Sequence, residues 1–266
     1  MNPSSPQARE MADESMVRNL AAQAEAIWPQ ERPIFERNSR PPPKHVLDVG
    51  CGTGEITKRL AELFPEATLT GIDLEEPHLE KARQKLPEAT FRRADALALP
   101  FEDESFDLAV CRHLTQAVPD AKKVLAEMQR VLKPNGRMHV ISEDYGMLWC
   151  HPTELDSDGF WQRIPHLFGK AIGCDLYVGR KTYTYLHDLG MKDIAVDYVV
   201  VDTLRVARET FARIWEAWRD GYTDSIVEYT RTPRQEVEQR WREMIDCVRD
   251  PRGYALWQVP VWTAVK

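Results

Sequence analysis

Val46-Leu47-Asp48-Val49-Gly50-Cys51-Gly52-Thr53-Gly54-Glu55-Ile56-Thr57 is the stretch whose reading decides the fold. An apolar strand runs into a tight glycine turn, and the turn opens a helix that continues through Lys58, Arg59, Leu60, Ala61, Leu63 and Phe64. Gly50, Gly52 and Gly54 carry no Cβ, so a ligand can approach the backbone and the chain can take φ values other residues avoid. A dinucleotide fingerprint needs a glycine three places after the second, so that pyrophosphate sits on the helix N-terminus. Glu55 stands there instead, and its carboxylate repels phosphate.

Later stretches fall in a fixed order behind this turn. Leu69-Thr70-Gly71-Ile72-Asp73 reads as a second strand ending in an acid, about 20 residues past the glycines, placed to accept hydrogen bonds from ribose hydroxyls. Arg93-Ala94-Asp95-Ala96 follows a third strand, and Phe106-Asp107-Leu108-Ala109-Val110 is a fourth. Leu132-Lys133-Pro134-Asn135-Gly136-Arg137 is a helix-to-strand turn before a fifth strand over 137–142. Together the Asp-x-Gly-x-Gly-x-Gly turn and these motifs resemble the Rossmann-like S-adenosylmethionine (SAM) methyltransferases, whose ligand carries an amino acid and a sulfonium. The resemblance implies an α/β fold with a seven-stranded, mostly parallel sheet and helices on both faces.

Outside the motifs, the sequence bounds the class. The 266 residues are 43% hydrophobic, enough for a real core. A formal charge of −7 and a pI near 5.6 argue against a nucleic-acid partner. The pairs Arg92-Arg93 and Lys122-Lys123 read as solvated surface. No stretch approaches the roughly 18 uninterrupted apolar residues of a membrane span, and the start lacks a signal-peptide pattern, so the expectation is a cytoplasmic protein without membrane association. Cys51, Cys111, Cys150, Cys174 and Cys247 show no metal-ligand spacing and read as thiols.

The expected organisation follows the alternation of elements. Residues 1–43 form an N-terminal helical cap or lid. Met16, Leu20, Ala24 and Ile27 give one amphipathic helix that Trp28-Pro29 ends, Pro33-Ile34-Phe35 begins a short second piece, and Pro41-Pro42-Pro43 is a stiff spacer. Residues 44–143 are the SAM-binding core, with helices at about 54–64, 77–86 and 120–132. An aromatic-rich insertion at 144–180 breaks into short pieces. A helix from Thr182 to Gly190 and a strand from Ile194 to Val201 return to the core within 181–204. A helical insertion fills 205–253, and a final strand lies within 254–266. The insertions and the N-terminal helices make a largely helical cap.

By the resemblance, Gly50 and Gly52 hold the methionine moiety of SAM and Asp48 positions its ammonium. Asp73, followed by Leu74, takes the ribose; Asp95 and Ala96 take the adenine; and Arg112 lies at the end of the fourth strand beside the sulfonium. Each acid also has a structural reading: Asp48 as a turn stabiliser, Asp73 as a helix N-cap, Asp95 as an Asx-turn. Methyl transfer mainly requires alignment and exclusion of water, with proton removal added for some acceptors. His113 is the first candidate base, since imidazole titrates near working pH, and a structural role is its alternative. Tyr145 and His151 come next, and Glu143 and Asp144 are candidates for binding a substrate cation or capping the next segment. His45, His78, His139, His166 and His187 carry no locating signal. The segment Cys111-Arg112-His113-Leu114-Thr115-Gln116 lacks the Asn/Asp-Pro-Pro-aromatic motif of nucleic-acid amino-methylating enzymes. It also has Arg112 where metal-dependent catechol enzymes need an acid, so no metal is expected. The expected activity is methyl transfer from SAM, yielding S-adenosylhomocysteine, to a small-molecule acceptor of natural-product or secondary-metabolite type. Oxygen is favoured over nitrogen as the methylated atom. C-methylation and a non-catalytic SAM-binding role stand as alternatives.

Overall fold

A computed structural model describes residues 14–155 and 157–266. The elements run α1 (Glu14–Asn38), β1 (His45–Val49), α2 (Glu55–Leu63), β2 (Thr68–Asp73), α3 (Glu76–Lys85), β3 (Thr90–Arg93), β4 (Phe106–Arg112), α4 (Ala121–Val131) and β5 (Leu132–Ile141). They continue with β6 (Leu148–His151), α5 (Ser157–Ile172), α6 (Thr182–Asp188), β7 (Lys192–Asp202), α7 (Arg208–Thr230), α8 (Arg234–Arg249) and β8 (Tyr254–Val265). The chain divides into two compact units. Among the described residues, one comprises 31–143, 178–197 and 260–266, and the other 14–30, 144–155, 157–177 and 198–259.

The first unit is built on a sheet in the order β3-β2-β1-β4-β5-β8. Neighbours are parallel up to β5, and β8 runs antiparallel to β5. β1 carries a neighbour from each direction of winding, which makes its carboxyl end the topological switch point where open α/β sheets take their ligands. The two central strands β1 and β4 are buried almost throughout. Val46, Leu47 and Val49 of β1 and Ala109, Val110 and Cys111 of β4 are all at 0% exposure, as a sheet covered on both faces requires. Gly71 in β2 leaves room for what stands over it: a Cβ there would lie 2.7 Å from the Phe91 ring and 2.9 Å from Cys51 Sγ. Phe91 and Cys51 in turn pack with Leu79, Ala82 and Leu86 of the α3 region, fixing the glycine turn to the helices behind it.

The second unit is held by aromatic side chains. Trp161 and Trp241 meet edge to face at 5.0 Å, Trp218 and Trp257 at 5.1 Å, and Trp161 Nε1 donates to Met244 Sδ. The aromatic residues of the insertions are therefore largely core here: Phe160, Trp161, Phe168, Trp215, Trp218 and Trp241 are all at most 5% exposed. β6 pairs antiparallel with the first residues of β8, Leu148 opposite Trp257 and His151 opposite Tyr254.

Four features depart from the sequence expectation. The N-terminal helix does not end at Trp28-Pro29 but runs to Asn38. Pro29 and Pro33 are both exposed, so the carbonyls that lose a donor can turn to water, while Ile27, Ile34 and Phe35 stay buried. The turn expected at 132–136 lies inside β5, which begins at Leu132. Register jumps from Phe106↔Leu132 to Leu108↔Arg137, Asn135 takes φ 63°, and residues 135 and 136 exchange backbone hydrogen bonds with Lys266. Eight strands are described rather than seven, the addition being β6. Residues 144–180 hold β6 and the sixteen-residue α5 rather than only short pieces.

Candidate functional site

The glycine turn closes as its residues demand. Gly50, Gly52 and Gly54 take φ of 75°, 52° and 75°, all in the region that favours glycine. Gly50 and Cys51 N–H both donate to the Ile72 carbonyl, at 2.8 and 2.9 Å. A Cβ on Gly50 would lie 3.1 Å from Leu114, so the turn and the segment after β4 approach more closely than a side chain allows. Glu55, first residue of α2, forms ion pairs with Lys85 and Arg59. Its charge thus fills the helix N-terminus that a phosphate would need.

Two carboxylates frame the turn. Asp73, at the end of β2, accepts from Gly52 N–H on Oδ2 at 2.9 Å and from Glu75 N–H on Oδ1 at 3.0 Å. It pins the turn instead of capping α3, whose N-cap is Glu75. Leu74, half-buried beside it, accepts from Arg93 Nε through its carbonyl. Asp48, 2% exposed in β1, accepts from Thr57 Oγ1 at 2.6 Å. Burial pushes its carboxyl up to about 6, against the lowering effects of the Thr57 hydrogen bond and the Arg112 charge. Asp95 Oδ1 accepts from Leu97 N–H at 2.9 Å in an Asx-turn, and Ala96 next to it is buried.

The exit of β4 carries the site's basic groups. Arg112 is 8% exposed, and its Nε donates to Glu31 Oε1 at 2.9 Å. His113 follows at φ 53°, an unfavourable backbone conformation for a residue with a Cβ. Three contacts hold it there. Its N–H donates to the Ile141 carbonyl, its carbonyl accepts from Gln116 Nε2 at 2.7 Å, and its Nδ1 is hydrogen-bonded to the Glu143 carboxylate. Glu143 is itself 0% exposed.

Asp48, Gly50, Gly52, Asp73, Leu74, Asp95, Ala96, Arg112 and His113 thus belong to one unit, together with Glu143. Tyr145 and His151 belong to the other. Tyr145 packs edge to face on Trp218 at 5.4 Å, and His151 is exposed at the end of β6. Glu31 was not singled out from the sequence. Its signal is a carboxylate four residues after Ile27, inside the apolar stripe that Ile34 and Phe35 continue, and it becomes legible only when the helix runs past Pro29. His139, assigned no role, is Glu31's second partner at 2.9 Å and stacks on Phe35 at 3.7 Å. No group of three or more His, Cys, Asp or Glu side chains suited to a metal ion occurs among the described residues. Nor is any described helix long and apolar enough to cross a membrane.

Residues 46–136 match the family model of a methyltransferase domain. A demethylmenaquinone methyltransferase of Lactobacillus johnsonii is 29% identical over 163 residues, covering 56% of this chain and 64% of the relative. One of Thermus thermophilus is 41% identical over 103 residues, covering 37% of this chain and 47% of the relative. The chain therefore spans between about half and just under two thirds of these relatives. Among solved structures, Haemonchus contortus phosphoethanolamine N-methyltransferase 2 in complex with S-adenosyl-L-methionine superposes with a TM-score of 0.58 at 19% identity. The match covers 97% of this chain and 59% of that one. The fold is that of the Rossmann-like SAM-dependent methyltransferases.

Proposed function

We propose that this protein transfers a methyl group from SAM to a small-molecule acceptor that loses a proton in the reaction. The observation that carries the cofactor assignment is the Gly50–Gly54 turn at the switch point, pinned by Asp73 and set above the buried Asp48 carboxylate. Its positive-φ glycines, the absence of a phosphate-binding helix N-terminus and a carboxylate under the turn suit the amino-acid end of SAM. Asp48 pairs with the ammonium, Asp73 and Leu74 flank the ribose, and Asp95 and Ala96 meet the adenine. Bound SAM supplies a methyl carbon activated by the adjacent sulfonium, and S-adenosylhomocysteine is the product.

The chain's own contribution to the chemistry centres on His113. With Nδ1–H donated to Glu143, Nε2 carries the lone pair that accepts a proton, and the buried carboxylate stabilises the imidazolium that forms. A strained backbone at a histidine held by three contacts is the kind of local cost that functional positions carry. A neutral amine acceptor needs no such base, whereas a hydroxyl or an activated carbon does. The dyad therefore favours O-methylation over N-methylation. C-methylation is the second reading, favoured by the relatives named demethylmenaquinone methyltransferases. Methyl release from labelled SAM against a panel of phenols, amines and reduced quinones tests the proposal. Turnover of phenols or quinols supports it, and turnover of amines alone refutes the role of the base.

A further inference from the structure

Two opposite charges near the switch point are only half satisfied. Arg112 Nε and His139 Nε2 both address Glu31 Oε1, each at 2.9 Å. Arg112 Nη2 and Glu31 Oε2 are both buried and have no hydrogen-bond partner among the described residues. The side chains are 6% and 0% exposed, so water is largely excluded from them. An arginine fork meeting a carboxylate normally uses two parallel hydrogen bonds, and a buried N–H left unmade is costly. Here His139, stacked on Phe35, competes for the oxygen that Nε uses, and the second arm of the fork is left over.

Register places that arm. Val49 pairs with Cys111, so Arg112 lies level with Gly50, one inter-strand spacing of about 4.8 Å away. Asp48 pairs with Val110, and Val110 with His139, so Asp48, Arg112 and His139 all project from one face of the sheet. The Arg112 charge acts on the Asp48 carboxyl. A buried carboxylate without a cation on it and a buried guanidinium N–H without an acceptor thus stand at the same strand ends. An α-amino acid presents the complement of both on one carbon, an ammonium and a carboxylate.

We infer that Arg112 Nη2 receives the α-carboxylate of the methionine part of SAM, with Glu31 as the positioning residue that holds the guanidinium for it. This rests on the SAM reading above. It adds a discriminating group for the carboxylate that the glycines and Asp48 do not supply.

Calorimetry with three ligands tests it: SAM, decarboxylated SAM, and 5′-methylthioadenosine, which lacks the whole amino-acid end. The wild type should bind SAM about 10- to 100-fold more tightly than decarboxylated SAM, the range for one charge-assisted hydrogen bond. In Glu31→Gln the ratio should shrink while affinity for 5′-methylthioadenosine stays unchanged; a merely structural Glu31 would lower all three together. In the double variant Glu31→Gln, Arg112→Met, which removes both buried charges, the ratio should fall to near one. Equal wild-type affinities for SAM and its decarboxylated form overturn the inference, whether or not either variant folds. So does a ratio that survives in the folded double variant. A crystal structure with S-adenosylhomocysteine in which Nη2 closes onto Glu31 Oε2, or onto a bridging water, also overturns it. Failure of the wild type to bind SAM at all instead refutes the cofactor reading on which it rests.

Discussion

Asp48 carries its proton through an unusual range for an aspartate, and this has opposite consequences for the free and the ligand-bound protein. With its carboxyl raised from an ordinary 3.8 to about 6, the folded protein binds more protons than the unfolded chain between those values. Stability contributed by Asp48 is therefore full below about pH 4 and is lost as pH rises through about 6. Above that, ionising the buried carboxylate costs about 3 kcal/mol. Asn in its place still accepts from Thr57, so Asp48→Asn should raise the urea midpoint at pH 7.5 and leave it unchanged near pH 4. SAM affinity should run the other way. Pairing with the ammonium requires the ionised form, so wild-type affinity should rise with pH through about 6, and Asp48→Asn should bind weakly with no such rise. A flat wild-type profile would detach Asp48 from the ligand.

His113 permits an equally local test. Asn tolerates positive φ, so His113→Asn keeps the backbone and removes the base. Single-turnover methyl transfer should slow by about 10²- to 10⁴-fold with SAM affinity little changed. Full retention of the rate would make the histidine structural. At this scale the glycine turn was legible, because glycines at fixed spacing act through backbone geometry that spacing alone defines. The sequence named His113 but could not show Glu143 holding it, since that bond joins residues 30 apart in the chain.

Among the elements, α1 differs most from its reading in the sequence. Two prolines normally stop a helix, and only the burial of Ile34 and Phe35 beyond them shows why this one continues. Because Pro29 is exposed, replacing it restores a hydrogen bond without losing packing. Pro29→Ala should therefore stabilise the protein by about 1–3 kcal/mol in urea unfolding. A neutral or destabilising result would mean that the helix breaks at Trp28. β5 illustrates the same limit. Pro134-Asn135-Gly136 has turn chemistry, and it is drawn into the strand by hydrogen bonds to Lys266, a partner about 130 residues away that no local pattern announces. The strand-helix alternation from β1 to α4 was legible because each element there satisfies its own period.

For the molecule as a whole, the chain passes between its two compact units five times, inside α1, β7 and β8 and also between elements at residues 143–144 and 177–178. The tryptophans of the two insertions are, for the most part, core of the second unit. What unites sequence, fold and comparison is the glycine turn at the switch point, within the stretch that matches a methyltransferase domain. The central claim is that this turn takes SAM and not a dinucleotide. Calorimetric titration of the full chain with S-adenosylhomocysteine and with NAD tests it most directly. The account predicts saturable one-to-one binding of S-adenosylhomocysteine, weakened by about 10- to 150-fold in Asp73→Ala, and no binding of NAD. Binding of NAD, or S-adenosylhomocysteine affinity untouched by the loss of Asp73 in a folded variant, would contradict it.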